Sequence, residues 1–97
     1  NDEEAVKEIL KSFIENARQD MGKLYTAIEN KNPEELKNIA HKMLPMFRQL
    51  KMNEVVNDLQ TLERSAEAFS IDKLRLTVKQ LSEKTEGLLK ELERVIS

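Results

Sequence analysis

His41 is the residue of this chain best suited to chemistry, because it is the only histidine and there is no cysteine. At about 100° per residue, the helix surface around it has one apolar third that would face a core. That apolar third consists of Leu36, Ile39, Ala40, Met43, Phe47 and Leu50. His41 falls on the opposite side with Glu34, Lys37, Asn38, Pro45 and Arg48. The periodicity therefore predicts an imidazole that meets solvent, either with a chemical role or as an incidental surface residue.

Most reactions that use histidine need partners that the sequence does not offer. A transition-metal site needs three or four converging ligands, and one histidine without cysteines would have to recruit carboxylates alone. The Glu-x-x-His pattern of diiron bundles is absent, and so is a glycine-rich phosphate loop. An exposed helix face offers neither an oxyanion hole nor a pocket that excludes water, so self-sufficient hydrolysis is not expected. We therefore predict no bound metal and no bound cofactor.

An exposed imidazole can still act as a nucleophile that accepts a group and later releases it. Phosphoryl fits this role, because its transfer depends on positioning and charge neutralisation, and a partner can bring the metal and the acidic pocket. Lys37, one turn before His41, and Arg48, farther along the same face, could steady the phosphate. A solvated charged face is the alternative, and it is the interpretation preferred for Lys42, which points sideways.

Pro45 follows His41 by one helical turn. Proline has no backbone N–H, so the carbonyl of His41 loses its usual helical hydrogen bond, at a cost of up to ~3 kcal/mol unless compensated. This position suggests a local constraint at a site. A simple kink that curves the helix is the alternative.

Two amphipathic helices are predicted in the first half of the chain. Apolar residues at spacings of three and four predict a helix through about Asn30. This helix is either continuous or bent or split near Gly22. A second helix is predicted to start with Asn32 as its N-cap and Pro33 at its first position.

Two more helices are predicted in the second half. Asn53 is the expected cap of a third helix that ends near Phe69, and Ser70 is the expected cap of a fourth with a clear heptad pattern. Four helices joined by short connections predict an all-α, antiparallel up-down-up-down four-helix bundle. By its length the chain is a single domain over residues 1–97.

The composition limits the partners of such a bundle. Apolar residues make up 39% and charged residues 35%, with two Gly and two Pro, which favours helices with charged outer faces. No apolar run approaches the ~18 residues needed to span a bilayer, so we expect no direct membrane contact. The net charge of -2 comes from interspersed acidic and basic residues, which give no basic stripe for nucleic acid.

A further pattern runs through most of the chain. It consists of Phe13, Asp20, Leu24, Ile28, the turn at residues 30–33, Leu36, Ala40-His41, Leu50 and Leu62-Glu63. This pattern resembles the histidine-containing phosphotransfer (HPt) domains of two-component phosphorelays. Members of that family have a Phe and a later Asp in the first helical region, spaced Leu or Ile, a short turn and an Ala-His helix. The next helix carries a Leu-Glu or similar pair.

The resemblance implies a phosphorelay intermediate with no kinase activity of its own. His41 would accept phosphoryl from the aspartate of one response-regulator receiver domain and pass it to another, with Mg²⁺ held by the receiver. Glu63 stands where the family has a polar side chain that hydrogen-bonds the histidine, and it would orient the ring unless it is only a surface residue. Ile9 and Phe13 would form part of the apolar docking patch unless they belong to the core.

Residues after the histidine depart from the family pattern. The family has Lys three positions and Gly four positions after it, followed by small residues, whereas this chain has Leu44, Pro45 and Met46. Lys37 or Arg48 would then have to neutralise the phosphate, while Pro45 still leaves room for an incoming loop. The resemblance also implies a monomeric, cytoplasmic domain. Because the chain lacks an initiator Met, it could be the cytoplasmic C-terminal part of a membrane-anchored hybrid sensor kinase.

Two other hypotheses stay open at this point. The chain could be a helical interaction or scaffold module in which His41 is incidental, since fold alone does not define function. Such a module predicts self-association through an exposed apolar stripe. It could also be a degenerate HPt domain that binds receivers without carrying phosphate. The phosphorelay hypothesis requires an exposed Nε2 on His41, so a buried ring would refute it.

Overall fold

The computed structural model describes residues 2–97. These residues form four helices joined by short turns, and they contain no strand. They are α1 (Asp2–Glu29), α2 (Pro33–Gln49), α3 (Asn53–Ser65) and α4 (Ile71–Ile96). Each helix packs on the one that follows it, and α4 returns to pack on α1. The predicted all-α, up-down-up-down four-helix bundle is therefore confirmed.

Pairs of side chains show that neighbouring helices run antiparallel. Phe13, in the first half of α1, stacks edge-on against Phe47 near the end of α2, with ring centroids 5.4 Å apart. The Arg75 guanidinium, near the start of α4, donates to the Glu29 carboxylate at the end of α1 over 3.2 Å. These two contacts fix the register of α1 against both of its neighbours.

The first helix is continuous from Asp2 to Glu29, so the break considered near Gly22 does not occur. Apolar residues on both sides of the glycine, Met21 and Leu24, are buried. Burial of this stripe against α2 and α4 outweighs the weak helix propensity of one glycine, which is about 1 kcal/mol below that of alanine.

Helix caps form where the sequence predicts them at the starts of α2 and α4. The Asn32 side chain accepts a hydrogen bond from the Glu35 N–H over 3.1 Å, and Pro33 occupies the first turn of α2. The Ser70 hydroxyl accepts one from the Lys73 N–H over 3.2 Å. Both caps satisfy a backbone donor that the first turn of a helix leaves free.

The third helix differs from the prediction at both ends. Its N-cap is Met52, not Asn53, because the Met52 carbonyl already accepts the Val56 N–H over 2.9 Å. The helix also ends at Ser65 instead of continuing to Phe69. After Ser65 the chain turns toward α4, and the Phe69 side chain packs against the core from this turn.

All four helices contribute apolar side chains to one core. Its fully buried members include Leu24, Leu36, Leu44, Phe47, Leu59, Leu62, Val78, Leu81 and Leu89. Leu50 was predicted to face this core but is 39% exposed. It is the C-cap of α2, and the chain turns at Lys51, where φ is 56°, so the helical periodicity no longer applies to its side chain.

The helices α1 and α4 are much longer than the other two, with 28 and 26 residues against 17 and 13. Because Phe13 lies opposite Phe47, the start of α1 and the end of α4 extend beyond α2 and α3 as a two-helix arm (residues 2–11 and 90–96). This arm accounts for the elongated dimensions of 47 × 20 × 18 Å. Within residues 2–97, no helix has the length and apolar character to cross a membrane.

Candidate functional site

His41 lies on the outer face of α2, and 73% of its side chain is exposed. The predicted exposure of the imidazole is confirmed. Ala40, directly before it, and Met43 and Leu44, the second and third residues after it, are buried in the core. The backbone that carries the imidazole is therefore anchored, while the ring itself stands in solvent.

Glu63 on α3 forms a hydrogen bond with one nitrogen of this ring. The distance between His41 Nδ1 and Glu63 Oε1 is 2.9 Å. An ionised carboxylate can only accept a hydrogen bond, so Nδ1 must carry the hydrogen and donate it. In the neutral imidazole the lone pair then lies on Nε2, at the far side of the ring from Glu63. No hydrogen bond to Nε2 forms within residues 2–97.

Packing between α2 and α3 sets the distance between these two side chains. Leu59 and Leu62, which flank Glu63 on the core side of α3, are completely buried. On α2, Ala40 is completely buried as well. Because these core contacts hold the two helices in a fixed position, the carboxylate contacts the imidazole without any loop having to become ordered. The structure thus brings together the two predicted residues His41 and Glu63.

The cationic side chains considered for the site, Lys37, Lys42 and Arg48, differ in their ion-pair partners. Lys37 is loosely paired, with its Nζ 3.9 Å from Glu67 Oε1, and both side chains are exposed. Lys42 leans to the other side of α2, where its Nζ lies 3.8 Å from Asp20 Oδ1 on α1. Arg48 is exposed and forms no ion pair with any residue of the described chain. Exposed ion pairs of this length contribute little, so Lys37 and Arg48 can both turn toward a ligand.

Leu44 and Pro45, three and four residues after His41, differ in exposure. Leu44 is only 2% exposed, so the position three residues after His41 faces the core and cannot present a charge. Pro45 is exposed, and α2 continues through it to Gln49. The carbonyl of His41 is therefore without its helical donor on the exposed surface, as the sequence predicts.

A groove of about 290 Å³ lies between α1 and α2, and its lining includes Lys42, the neighbour of His41, but not His41 itself. Phe13 and Met46 contribute apolar surface to it, and Asp20 and Lys42 line it with polar groups. Phe13 is only 6% exposed and belongs to the core, although its ring reaches the groove, whereas Met46 is 42% exposed. Ile9, the other predicted docking residue, is 65% exposed on the two-helix arm.

Sequence reasoning did not assign Met46 or the Lys42–Asp20 pair to this groove. Met46 lies five residues after His41 and thus on the α1 side of α2, which the helical periodicity alone could have indicated. The pairing with Asp20 could not be found that way, because it depends on the register between two helices. Within residues 2–97, no three metal-ligating side chains come close enough together to hold an ion.

Comparisons with known proteins identify no relative: no family model matches the chain, and neither curated proteins nor solved structures give a significant match.

Proposed function

We propose that this chain is a phosphoryl carrier, with His41 as the residue that accepts and releases the group. The observation that carries the proposal is the exposed imidazole whose Nδ1 hydrogen is held by Glu63 at 2.9 Å. This bond favours the tautomer with the lone pair on Nε2, which faces solvent on an anchored helix. A nucleophile held in this way needs no further activation by the chain itself.

The donor and the acceptor in this proposal are aspartates of response-regulator receiver domains. Nε2 attacks the phosphorus of an aspartyl phosphate, an N–P bond forms, and the P–O bond breaks so that the aspartate leaves as a carboxylate. The reverse step, on a second receiver, restores the neutral imidazole. The Nδ1 hydrogen stays on the ring throughout. The chain thus acts as a carrier without kinase activity.

The partner must supply what this surface lacks. Phosphoryl transfer needs a metal and charge neutralisation, and the proposal assigns the Mg²⁺ and its acidic pocket to the receiver. On the carrier, Lys37 and Arg48 lie on the same face of α2 as His41 and can approach the transferred group. The groove between α1 and α2, with Met46 in its lining, offers the apolar contact that a docking partner needs. This role places the domain in the cytoplasm, as a monomer between docking events.

A phosphotransfer assay tests the proposal. The protein is incubated with phosphorylated receiver domains of the same organism and Mg²⁺, and phosphate on the chain is tested for acid lability and base stability. We expect label on the wild type and none on His41→Gln. A folded wild-type protein that takes no label from any receiver would overturn the proposal.

The two-helix arm favours a second candidate, a helical assembly module. Its side chains Val6, Ile9 and Val95 are 54%, 65% and 71% exposed, and together they leave an apolar surface without a partner in residues 2–97. Exposed apolar patches often mark protein interfaces. Sedimentation of the domain over a range of concentrations tests this candidate. Association that Ile9→Lys abolishes would favour it, and a monomer at all concentrations would exclude self-assembly.

The assay also tests a degenerate HPt domain, which binds receivers but carries no phosphate. Leu44 is buried in place of the family's lysine, and this observation favours the degenerate form. Receiver binding without any transfer of label would identify it.

A further inference from the structure

We propose that Pro45 determines which partners can dock at His41, because it obliges them to donate a hydrogen bond to the His41 carbonyl. This inference rests on the proposed function, since it concerns the partner that covers the imidazole. Pro45 has no N–H, so the helix itself cannot supply the donor that this carbonyl normally receives. Pro45 and His41 are both exposed residues on the outer face of α2, so we expect water to hydrate this carbonyl in the free protein.

Any protein that reaches the reactive Nε2 must also cover this carbonyl. A specific interface buries about 800 Å² on each partner, which corresponds to a patch about 16 Å in radius. The carbonyl belongs to the same residue as the imidazole and lies well inside such a patch. Docking therefore removes the water bound to it. A buried acceptor left without a donor weakens binding by roughly fivefold or more.

Within residues 2–97, no cationic side chain near His41 donates a hydrogen bond to this oxygen. Lys37 and Lys42 lie near the carboxylates of Glu67 and Asp20, and the Arg48 guanidinium donates no hydrogen bond to a described residue. A partner that transfers phosphoryl must carry cationic groups to neutralise the developing charge, so it has N–H donors close to His41. A partner with such a donor aimed at the carbonyl docks without loss, whereas a partner without one docks more weakly.

The variant Pro45→Ala tests this inference because it restores the backbone N–H and adds no bulk. Alanine is also a good helix former, so the fold is retained. The helix then satisfies the carbonyl internally. For the receiver that transfers phosphoryl fastest to the wild type, we expect the transfer rate to fall at least fivefold in Pro45→Ala. For receivers that transfer slowly to the wild type, we expect the rate to rise. Gln49→Ala, an exposed change one turn farther on that keeps its N–H, is the control and leaves the ranking unchanged.

The single histidine permits a direct measurement on the carbonyl. Labelling with histidine carrying ¹³C at its carbonyl gives one signal from His41. We expect this signal to move downfield when the best receiver binds the wild type, because a hydrogen bond deshields a carbonyl carbon. In Pro45→Ala the signal is already downfield in the free protein and does not move on binding. An ammonium donor makes the shift sensitive to KCl, whereas a backbone N–H does not, and either result supports the inference.

Failure of this inference can be told apart from failure of the proposed function. If a receiver transfers phosphoryl equally well to the wild type and to Pro45→Ala, and the wild-type carbonyl signal does not move, the inference is wrong and the carrier function stands. If no receiver transfers to the wild type, both are wrong. Phosphoramidate, a small donor that does not dock, is expected to phosphorylate the wild type and Pro45→Ala at equal rates. A slower reaction of the variant would show that the imidazole itself had changed, which contradicts the inference.

Discussion

Replacing Glu63 is the most informative perturbation of the proposed site. Glu63→Ala removes the acceptor of the Nδ1 hydrogen, whereas Glu63→Gln keeps an acceptor oxygen and removes only the charge. Without an acceptor, the imidazole rotates freely and its hydrogen redistributes to Nε2, which then has no lone pair for attack. We therefore expect Glu63→Ala to slow phosphorylation of His41 much more than Glu63→Gln does.

The size of the effect follows from the exposure of the pair. The two side chains are 73% and 32% exposed, so water competes for the bond between them. Hydrogen bonds to charged groups contribute about 1.5–3 kcal/mol, and exposure reduces this to about 1–1.5 kcal/mol. At 1.4 kcal/mol for a factor of ten, Glu63→Ala should slow the reaction by roughly tenfold. Glu63→Gln, with its neutral acceptor, should slow it by about two- to threefold.

The assay uses phosphoramidate as the donor, so that docking does not influence the rate. ¹⁵N spectra of the single histidine report its tautomer in the same samples. We expect the Nδ1–H form to dominate in the wild type and the Nε2–H form to gain in Glu63→Ala. Glu54→Ala, an exposed change at the start of α3 that pairs with none of the proposed site residues, is the matched control and should alter neither the rate nor the tautomer.

Equal rates for the wild type and Glu63→Ala, with the same tautomer, would refute the reasoning. Glu63 would then be an ordinary surface residue. A large loss in Glu54→Ala would also contradict it, because the effect would then be a general one of negative charge on α3.

Three further predictions concern the charges and the core. Arg48→Ala should slow transfer from a receiver by about two- to fivefold, as expected for an exposed cation, and Lys79→Ala on the outer face of α4 should not; equal rates for all three proteins would remove Arg48 from the site. Thr85 is fully buried and its hydroxyl has no partner within the described residues, so Thr85→Val should raise the free energy of unfolding in urea by about 1–2 kcal/mol. Thr77→Val should not raise it, because that hydroxyl donates to a carbonyl of its own helix over 2.9 Å, and a gain at Thr77 alone would contradict the assignment. The Arg18 guanidinium on α1 donates a hydrogen bond to Glu93 and lowers the pKa of this carboxyl. The stabilising effect of the pair is therefore complete above the pKa that Glu93 has in the unfolded chain, and it is lost as the pH falls through the lowered value. Acid titrations of stability by circular dichroism should therefore fall less steeply below about pH 4 in Glu93→Gln than in the wild type, and identical titrations would show that the pair contributes nothing.

Much of the fold follows from local patterns in the sequence. The periodicity of apolar residues predicted four helices, and Asn32, Pro33 and Ser70 fixed two of their starts, because caps depend on residues close together in the chain. The predicted N-cap of the third helix was one residue too late in the chain, and the predicted end of this helix was too far along the chain. Its start depends on a carbonyl of Met52, which carries no side-chain signal, and its end depends on where the chain must cross to α4.

The candidate site was predictable only in part. The exposure of His41 follows from its place on the helical wheel, because a side chain opposite an apolar stripe must face solvent. Its contact with Glu63 depends on the register between α2 and α3, which the helical pattern alone does not give and which only the family resemblance suggested. The same holds for the contact of Lys42 with Asp20. Packing between helices, and not the pattern within one helix, decides such pairs.

Return of the phosphoryl group is the most direct test of the carrier role of His41. Protein labelled with phosphate on His41 is freed of its donor and mixed with an unphosphorylated receiver, once with Mg²⁺ and once with EDTA. We predict that the label moves to the receiver aspartate in Mg²⁺ and stays on His41 in EDTA. Label that appears only as inorganic phosphate, or that never leaves His41 with any receiver, would contradict the account.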